Sequence, residues 1–253
     1  LVVGLGVAYW QAAERGRQFH LAQQRLQQAE NALDFVTQVV TESLQAGETV
    51  SRDAFVQRSE LLMDSAAQAS PSERLMAANT IAVWASSFGQ YERADALLSK
   101  ALEGLPADFD PALSATARCN RAVMRASEGQ GKGTAAELDA MIALLEAKGS
   151  ESDWECRYKR AQLRRNGNDA VGALADIEQA LRSFDAAGYR SQYSRAILVA
   201  EQAYALSLNG RSAQAVEQYA AAVGMLQRAG RQLSAFAGTV LNNWGNALIA
   251  AGQ

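Results

Sequence analysis

The chain has 253 residues, 49% of them hydrophobic and 20% charged, a balance that excludes disordered and collagen-like chains and is long enough to bury a sizeable core. A formal charge of -3 gives no strongly basic surface to collect phosphates, so nucleic acid is not an expected partner. About one residue in five is alanine, only three are proline and the β-branched residues are sparse, which favours helix over strand and predicts an all-α fold.

Residues 1–10 are uncharged and apolar, with Tyr9-Trp10 standing just before Glu14-Arg15-Gly16-Arg17. Ten helical residues reach about 15 Å where a hydrocarbon core needs roughly 30 Å, yet an aromatic pair at the edge of an apolar run suits a membrane interface. The expectation is the end of a truncated transmembrane helix; a buried first turn and the tail of a signal peptide are the alternatives. Residues 11–47 read as one long juxtamembrane helix or stalk, because Phe19, Ala22, Leu26, Ala29, Leu33, Val36 and Val40 recur at spacings of three and four. That seam either pairs two copies as a homodimer through residues 19–40 or lies on the next domain. His20, on the same seam, is the one histidine of the chain. A single imidazole removes Ser/His/Asp triads, HExxH zinc sites and two-His iron sites, so no catalytic residue, metal ligand or cofactor is expected. Ser51 and Asp53 then open a short helix carrying Phe55, Leu61, Leu62 and Met63, a capping element over residues 51–70, and Pro71 marks the next start.

From residue 72 to 253 the chain repeats. Asn120-Arg-Ala122, Lys159-Arg-Ala161, Glu201-Gln-Ala203 and Asn243-Trp-Gly245 each end on a small residue, as does the earlier Asn79-Thr-Ile-Ala82, and each is followed within seven residues by a glycine: 89, 129, 167, 210 and 252. Ala94 and Ala101, Ala173 and Ala180, and Ala215 and Ala222 recur at one pair of offsets from the small residue of their unit. Two antiparallel helices cross closely only where side chains are small, and Leu98, Ile177 and Tyr219 one turn further on fill the space beside each crossing. The predicted pairs are 72–88 with 91–104, 111–128 with 134–148, 153–166 with 169–184 and 194–209 with 212–228, followed by half a unit whose Leu241, Trp244 and Leu248 are expected to be bare. The unit near residue 134 departs from the pattern, with Thr134 and Met141 where alanines belong. Cys119 and Cys156, 37 residues apart, have neither CxxC spacing nor the look of a disulfide framework.

These residues resemble the tetratricopeptide repeat, and the best single match is Gly89-Gln-Tyr91-Glu-Arg-Ala94 through Leu98, Ala101 and Pro106. The resemblance implies an α-helical solenoid of helix pairs in a right-handed superhelix, over about four and a half units of 39 to 42 residues where the family uses 34. A second resemblance lies in the order of segments: apolar span, Arg/Glu/Gln/Ala-rich helix ending near Phe35, short helix from Phe55, then repeats. It is similar to the region that follows the kinase domain of bacterial membrane-anchored serine/threonine protein kinases, which implies an extracytoplasmic, periplasmic array in signal transduction. No kinase motif lies in these residues. The tail of a membrane-anchored transcription regulator and a soluble cytoplasmic adaptor are the alternatives.

In tetratricopeptide arrays the first helix of each unit lines the concave groove. The resemblance carries that role to Asn79, Val83, Tyr158, Gln162, Arg165, Tyr204, Asn242 and Asn246, whose amides and hydroxyls suit the backbone of a bound peptide or protein. Two other segments invite attention. Gly129-Gln-Gly-Lys132-Gly-Thr134 looks like the end of a phosphate loop without the strand that motif needs, and reads as a turn. Arg157, Lys159, Arg160, Arg164 and Arg165 crowd one short helix, and read as a solvated face or as a dock for an acidic peptide or a phosphate.

Overall fold

Helix follows helix along the computed structural model, which describes residues 51–65, 69–129, 131–149 and 153–253. The span, stalk and seam expected over residues 1–47 lie outside the described residues. Among the described residues there are ten helices and no strand, none of the helices is long and apolar enough to cross a membrane, and the chain divides into two units at residue 107.

The first unit holds α1 (Arg52–Ser65), α2 (Pro71–Ser87) and α3 (Tyr91–Glu103). Pro71 starts α2 because its missing N–H falls in the first turn, and a capping box holds the entry: the Ser70 hydroxyl accepts from the Glu73 amide at 3.2 Å and the Glu73 carboxylate accepts from the Ser70 amide at 2.7 Å. Left-handed backbone at Gly89, φ +81°, turns the chain into α3. Ala82, Ala94 and Leu98 are fully buried where the two helices meet, as the repeat pattern requires. Arg93 of α3 donates to Glu60 of α1 at 2.7 Å and Lys100 pairs with Asp64 at 3.2 Å, so α1 is held by charge as well as by the Phe55–Trp84 ring contact.

The second unit contains three pairs and a last single helix: α4 (Pro111–Ser127) with α5 (Thr134–Ala147), α6 (Trp154–Asn166) with α7 (Ala170–Ala186), α8 (Gln192–Leu208) with α9 (Ser212–Arg228), and α10 (Ala235–Ala250). Every boundary falls within two residues of its expected place. Ala122, Ala161 and Ala203 are fully buried in the first helices of the pairs, and Ala180, Ala215 and Ala222 are fully buried in the second. Ile177 and Tyr219 fill the space beside them, so the small-then-bulky rule of the sequence is the packing rule of the fold. One turn is shifted. Gly167 keeps an ordinary φ of -86° and the left-handed position falls on Asn168, φ +64°, a residue type that tolerates it.

Two apolar cores are described in the second unit. The larger runs through α7, α8, α9 and α10 from Ala161 of α6, whereas the smaller is made by Ala115, Cys119 and Ala122 of α4, Leu138, Ile142 and Leu145 of α5, and Cys156 of α6. Cys119 and Cys156 form a disulfide, with Cα atoms 5.4 Å apart. This corrects the expectation that the two cysteines make no disulfide framework. A separation of 37 residues is close to one repeat, which brings the first helices of successive repeats side by side, and no spacing rule for local motifs would reveal it. On α10, Leu241 is exposed as expected, but Leu248 is half-buried and Trp244 packs against the larger core.

Candidate functional site

The first helix of each pair in the second unit touches the first helix of the next, α4 to α6, α6 to α8 and α8 to α10. Each therefore has one side turned toward its own partner helix and another shared with its neighbours. On α6 the 100° step per residue puts Arg157, Arg160, Ala161 and Arg164 on the first side and Glu155, Tyr158, Lys159 and Gln162 on the second.

The second side is a joined cluster. The Gln162 side-chain amide donates to the Tyr158 hydroxyl at 2.8 Å, and the Lys159 ammonium lies 5.4 Å from the centre of the Tyr158 ring. Arg165 crosses to α8, where its guanidinium sits 4.9 Å from the centre of the Tyr204 ring and its Nε lies 3.3 Å from Glu201. On the α4 side the Thr116 hydroxyl donates to Glu155. Desolvation dominates the electrostatics. Burial pushes the Glu155 carboxyl up against the lowering effect of the Thr116 bond and of Lys159, pushes Glu201 up against Arg165 and Lys159, and drives Lys159 down although both glutamates favour its charge. The Tyr158 phenol rises for the same reason, with Glu201 adding to the shift. Half-buried side chains whose charged forms are disfavoured by burial thus stand together on neighbouring first helices.

Of the eight groove residues expected from the sequence, Tyr158, Gln162, Arg165 and Tyr204 come together here. Asn242 and Asn246 are exposed on α10, and Asn79 and Val83 belong to α2 of the first unit, half-buried and exposed respectively. Sequence reading missed Lys159, Glu201, Glu155 and Thr116. The signal was present: Asn120, Lys159, Glu201 and Asn243 all stand two places before the small residue of their unit, so a polar position recurs along the first helices.

The remaining expectations divide. The cations of α6 are not a solvated face, because carboxylates of three neighbouring helices take them. Arg157, 7% exposed, bonds Asp153 at 2.5 Å and also Glu146 of α5. Arg160 pairs with Asp176 of α7 at 2.6 Å and Asp139 of α5 at 2.5 Å, and Arg164 reaches Asp176 at 3.1 Å. Upstream acid alone could not have shown this: of the upstream acids only Asp153 takes part in these pairs, Asp176 lies on the partner helix α7, and Glu146 and Asp139 come from the preceding repeat. The segment around Lys132 is a turn between α4 and α5, with left-handed glycines at 129 and 133 and a helix, not a strand, before it. Among the described residues no cluster of His, Cys, Asp and Glu is arranged to hold a metal ion.

No protein-family model and no curated protein matches the chain. Solved structures do. Putative kinesin light chain TPR-like repeats from Podosopora anserina are 21% identical at a TM-score of 0.54, over 73% of this chain and 89% of theirs. PlcR of Bacillus thuringiensis, solved with the peptide PapR7 and DNA, is 16% identical at a TM-score of 0.63, over 84% of this chain and 75% of its own. BtubC from P. vanneervenii is 16% identical at 0.60, over 78% of this chain and 80% of its own. The fold is an all-α solenoid of tetratricopeptide-like helix pairs.

Proposed function

We propose that this segment is a non-catalytic scaffold that binds a protein or an extended peptide along the first-helix faces of the second unit. The observation that carries the reading is the cluster of Tyr158, Lys159, Gln162, Arg165, Glu201 and Tyr204, half-buried to nearly buried, polar and continuous across α6 and α8. Asn242 and Asn246 extend the same kind of surface onto α10, where amides can serve a peptide backbone. The peptide PapR7 in the PlcR complex supports a peptide as the class of partner. The test uses a displayed library of unstructured peptides. Peptides selected on the wild-type protein should lose about five- to thirtyfold in affinity against Lys159→Ala and Gln162→Ala, the 1–2 kcal/mol of an interface hot spot, with helix content and melting unchanged. Equal affinity for wild type and both variants would put the interaction on another surface.

The finer reading is that the array serves as the extracytoplasmic sensor of a membrane-anchored bacterial serine/threonine protein kinase, supported by the order of apolar segment, long helix and repeats in the sequence. The match to PlcR, solved on DNA and spanning 84% of this chain, favours a second reading as the repeat region of a regulator. The sequence of the encoding gene separates them: a kinase domain ahead of the apolar segment would support the first, and a DNA-binding domain there would support the second.

A further inference from the structure

We propose that the Cys119–Cys156 bond is what fastens the α4–α5 repeat to the rest of the second unit, so that this repeat closes only where a disulfide donor is present and the array matures in an oxidising compartment. The inference stands apart from whatever the groove binds.

The α4–α5 pair is built differently from its neighbours. Thr134 and Met141 take the places where α7 and α9 carry alanine, and α4 and α5 stay in close approach over a shorter stretch than α6 with α7 or α8 with α9. The Thr134 hydroxyl is buried at the crossing and reaches the Ala122 carbonyl only at 3.4 Å. In compensation α4 meets α6 over a longer stretch than α6 meets α8 or α8 meets α10, and the disulfide sits in that contact. Cys156 is the one fully buried residue that α6 contributes to the smaller core. Beside the packing of Leu163, the ion pairs from α5 to α6 end on Glu146 and Asp139, carboxylates 58% and 56% exposed, and such exposed arms hold little in water.

The chemistry needs a named oxidant class. A small-molecule or protein disulfide accepts attack by the thiolate of one cysteine, releasing its own thiol. The second cysteine then attacks the mixed disulfide, the Cys119–Cys156 bond forms and a second donor thiol leaves. Two electrons and two protons pass from the cysteine pair to the donor. Both sulfurs are buried once the unit has folded, so the bond is set during folding and is shielded from reductant afterwards. Secretory and periplasmic spaces supply such donors and the cytoplasm removes them.

The experiment compares the oxidised full chain with the Cys119→Ala/Cys156→Ala chain by amide hydrogen exchange, alongside a free-thiol count on the oxidised chain denatured without reductant. No free thiol is expected. Amides of α4 and α5 should lose protection by about a hundredfold in the variant while those of α8 and α9 keep theirs. Two free thiols, or equal protection of α4 and α5 in both chains, would overturn the proposal. So would a variant that loses protection uniformly or does not fold, because the bond would then hold the whole unit and not one repeat; the reduced wild-type chain, refolded without a disulfide donor, must repeat the local pattern.

Discussion

The two ends of the second unit solve one joining problem with different chemistry. Around α8, α9 and α10 the helices meet through alanines and a continuous apolar core in which Tyr219, Leu226, Leu198 and Phe184 are all but fully buried. Around α4, α5 and α6 the apolar core is small, and a disulfide with charged bridges completes the joint. Apolar packing is short-ranged and indifferent to salt, so the α8–α9 end depends on side-chain volume. A charged joint depends on how far each carboxylate is withdrawn from water, and the bridges of α6 span that whole range.

The largest effect expected from breaking the comparison is at Asp176, whose side chain is 4% exposed and which receives both Arg160 and Arg164. Asp176→Ala leaves guanidinium groups withdrawn from water without their buried anion, and should cost about 3–5 kcal/mol, toward the lower end because Arg160 keeps Asp139. Urea unfolding of the two proteins measures it. A loss below about 1 kcal/mol would mean that this bridge behaves as a surface pair.

Exchanging the crossing residues sharpens the contrast next. Ala222→Met, which gives α9 the residue α5 carries at Met141, forces a long side chain into a crossing with no room and should cost about 1–3 kcal/mol. Met141→Ala in the looser pair removes a half-buried side chain and should cost less. The same measurement on Ala94→Leu, in the α2–α3 crossing, is expected to match the Ala222→Met result. If the Met141 change proved the more damaging, α5 would be packed as tightly as α9 and the contrast would fail.

What is legible in the sequence follows the same division. Alanine at fixed offsets is a local signal repeated several times, and by itself it locates the helix ends and the fully buried Ala82, Ala122, Ala161 and Ala203. The Thr134 and Met141 exceptions are visible too, but not their consequence, because the compensation comes from α6, a different repeat. Contacts such as Arg160 with Asp139, or Cys119 with Cys156, depend on how repeats stack. Four of the eight groove residues lie together because the register carried over from the tetratricopeptide pattern puts Tyr158, Gln162 and Arg165 on α6 beside Tyr204 of α8, while Lys159 and Glu201 look in sequence like ordinary surface charges.

Smaller effects are expected at the exposed arms of the charged joint. Asp139→Ala and Glu146→Ala should each cost at most about 1 kcal/mol, and half-molar salt should reduce the difference from wild type, since both carboxylates stand more than half in water. Ala222→Met should keep its full cost in the same salt. A salt-sensitive apolar joint or a salt-insensitive charged one would show that the two ends differ in composition only.

The smallest effect concerns Glu155, at the edge where α4 meets α6 and beside the disulfide. Burial holds its carboxyl above the usual value of 4.5 even though Thr116 and Lys159 favour the anion. A group whose folded pKa is raised takes up a proton on folding, so its favourable contribution is complete below the unfolded pKa and is lost as pH rises through the folded one. Ionised Glu155 is therefore a net burden near neutral pH. Glu155→Gln removes the charge while keeping an oxygen for the Thr116 hydroxyl, so the variant should be slightly more stable than wild type at pH 7 and above. The advantage should shrink as pH falls and vanish once the carboxyl is protonated in both folded and unfolded chains. Thermal melts of the two proteins between pH 4 and pH 8, compared pairwise so that every other titration cancels, read this directly. A variant less stable than wild type at neutral pH would mean that Lys159 and Thr116 outweigh desolvation, and that the face shared by α4 and α6 is already satisfied without a ligand.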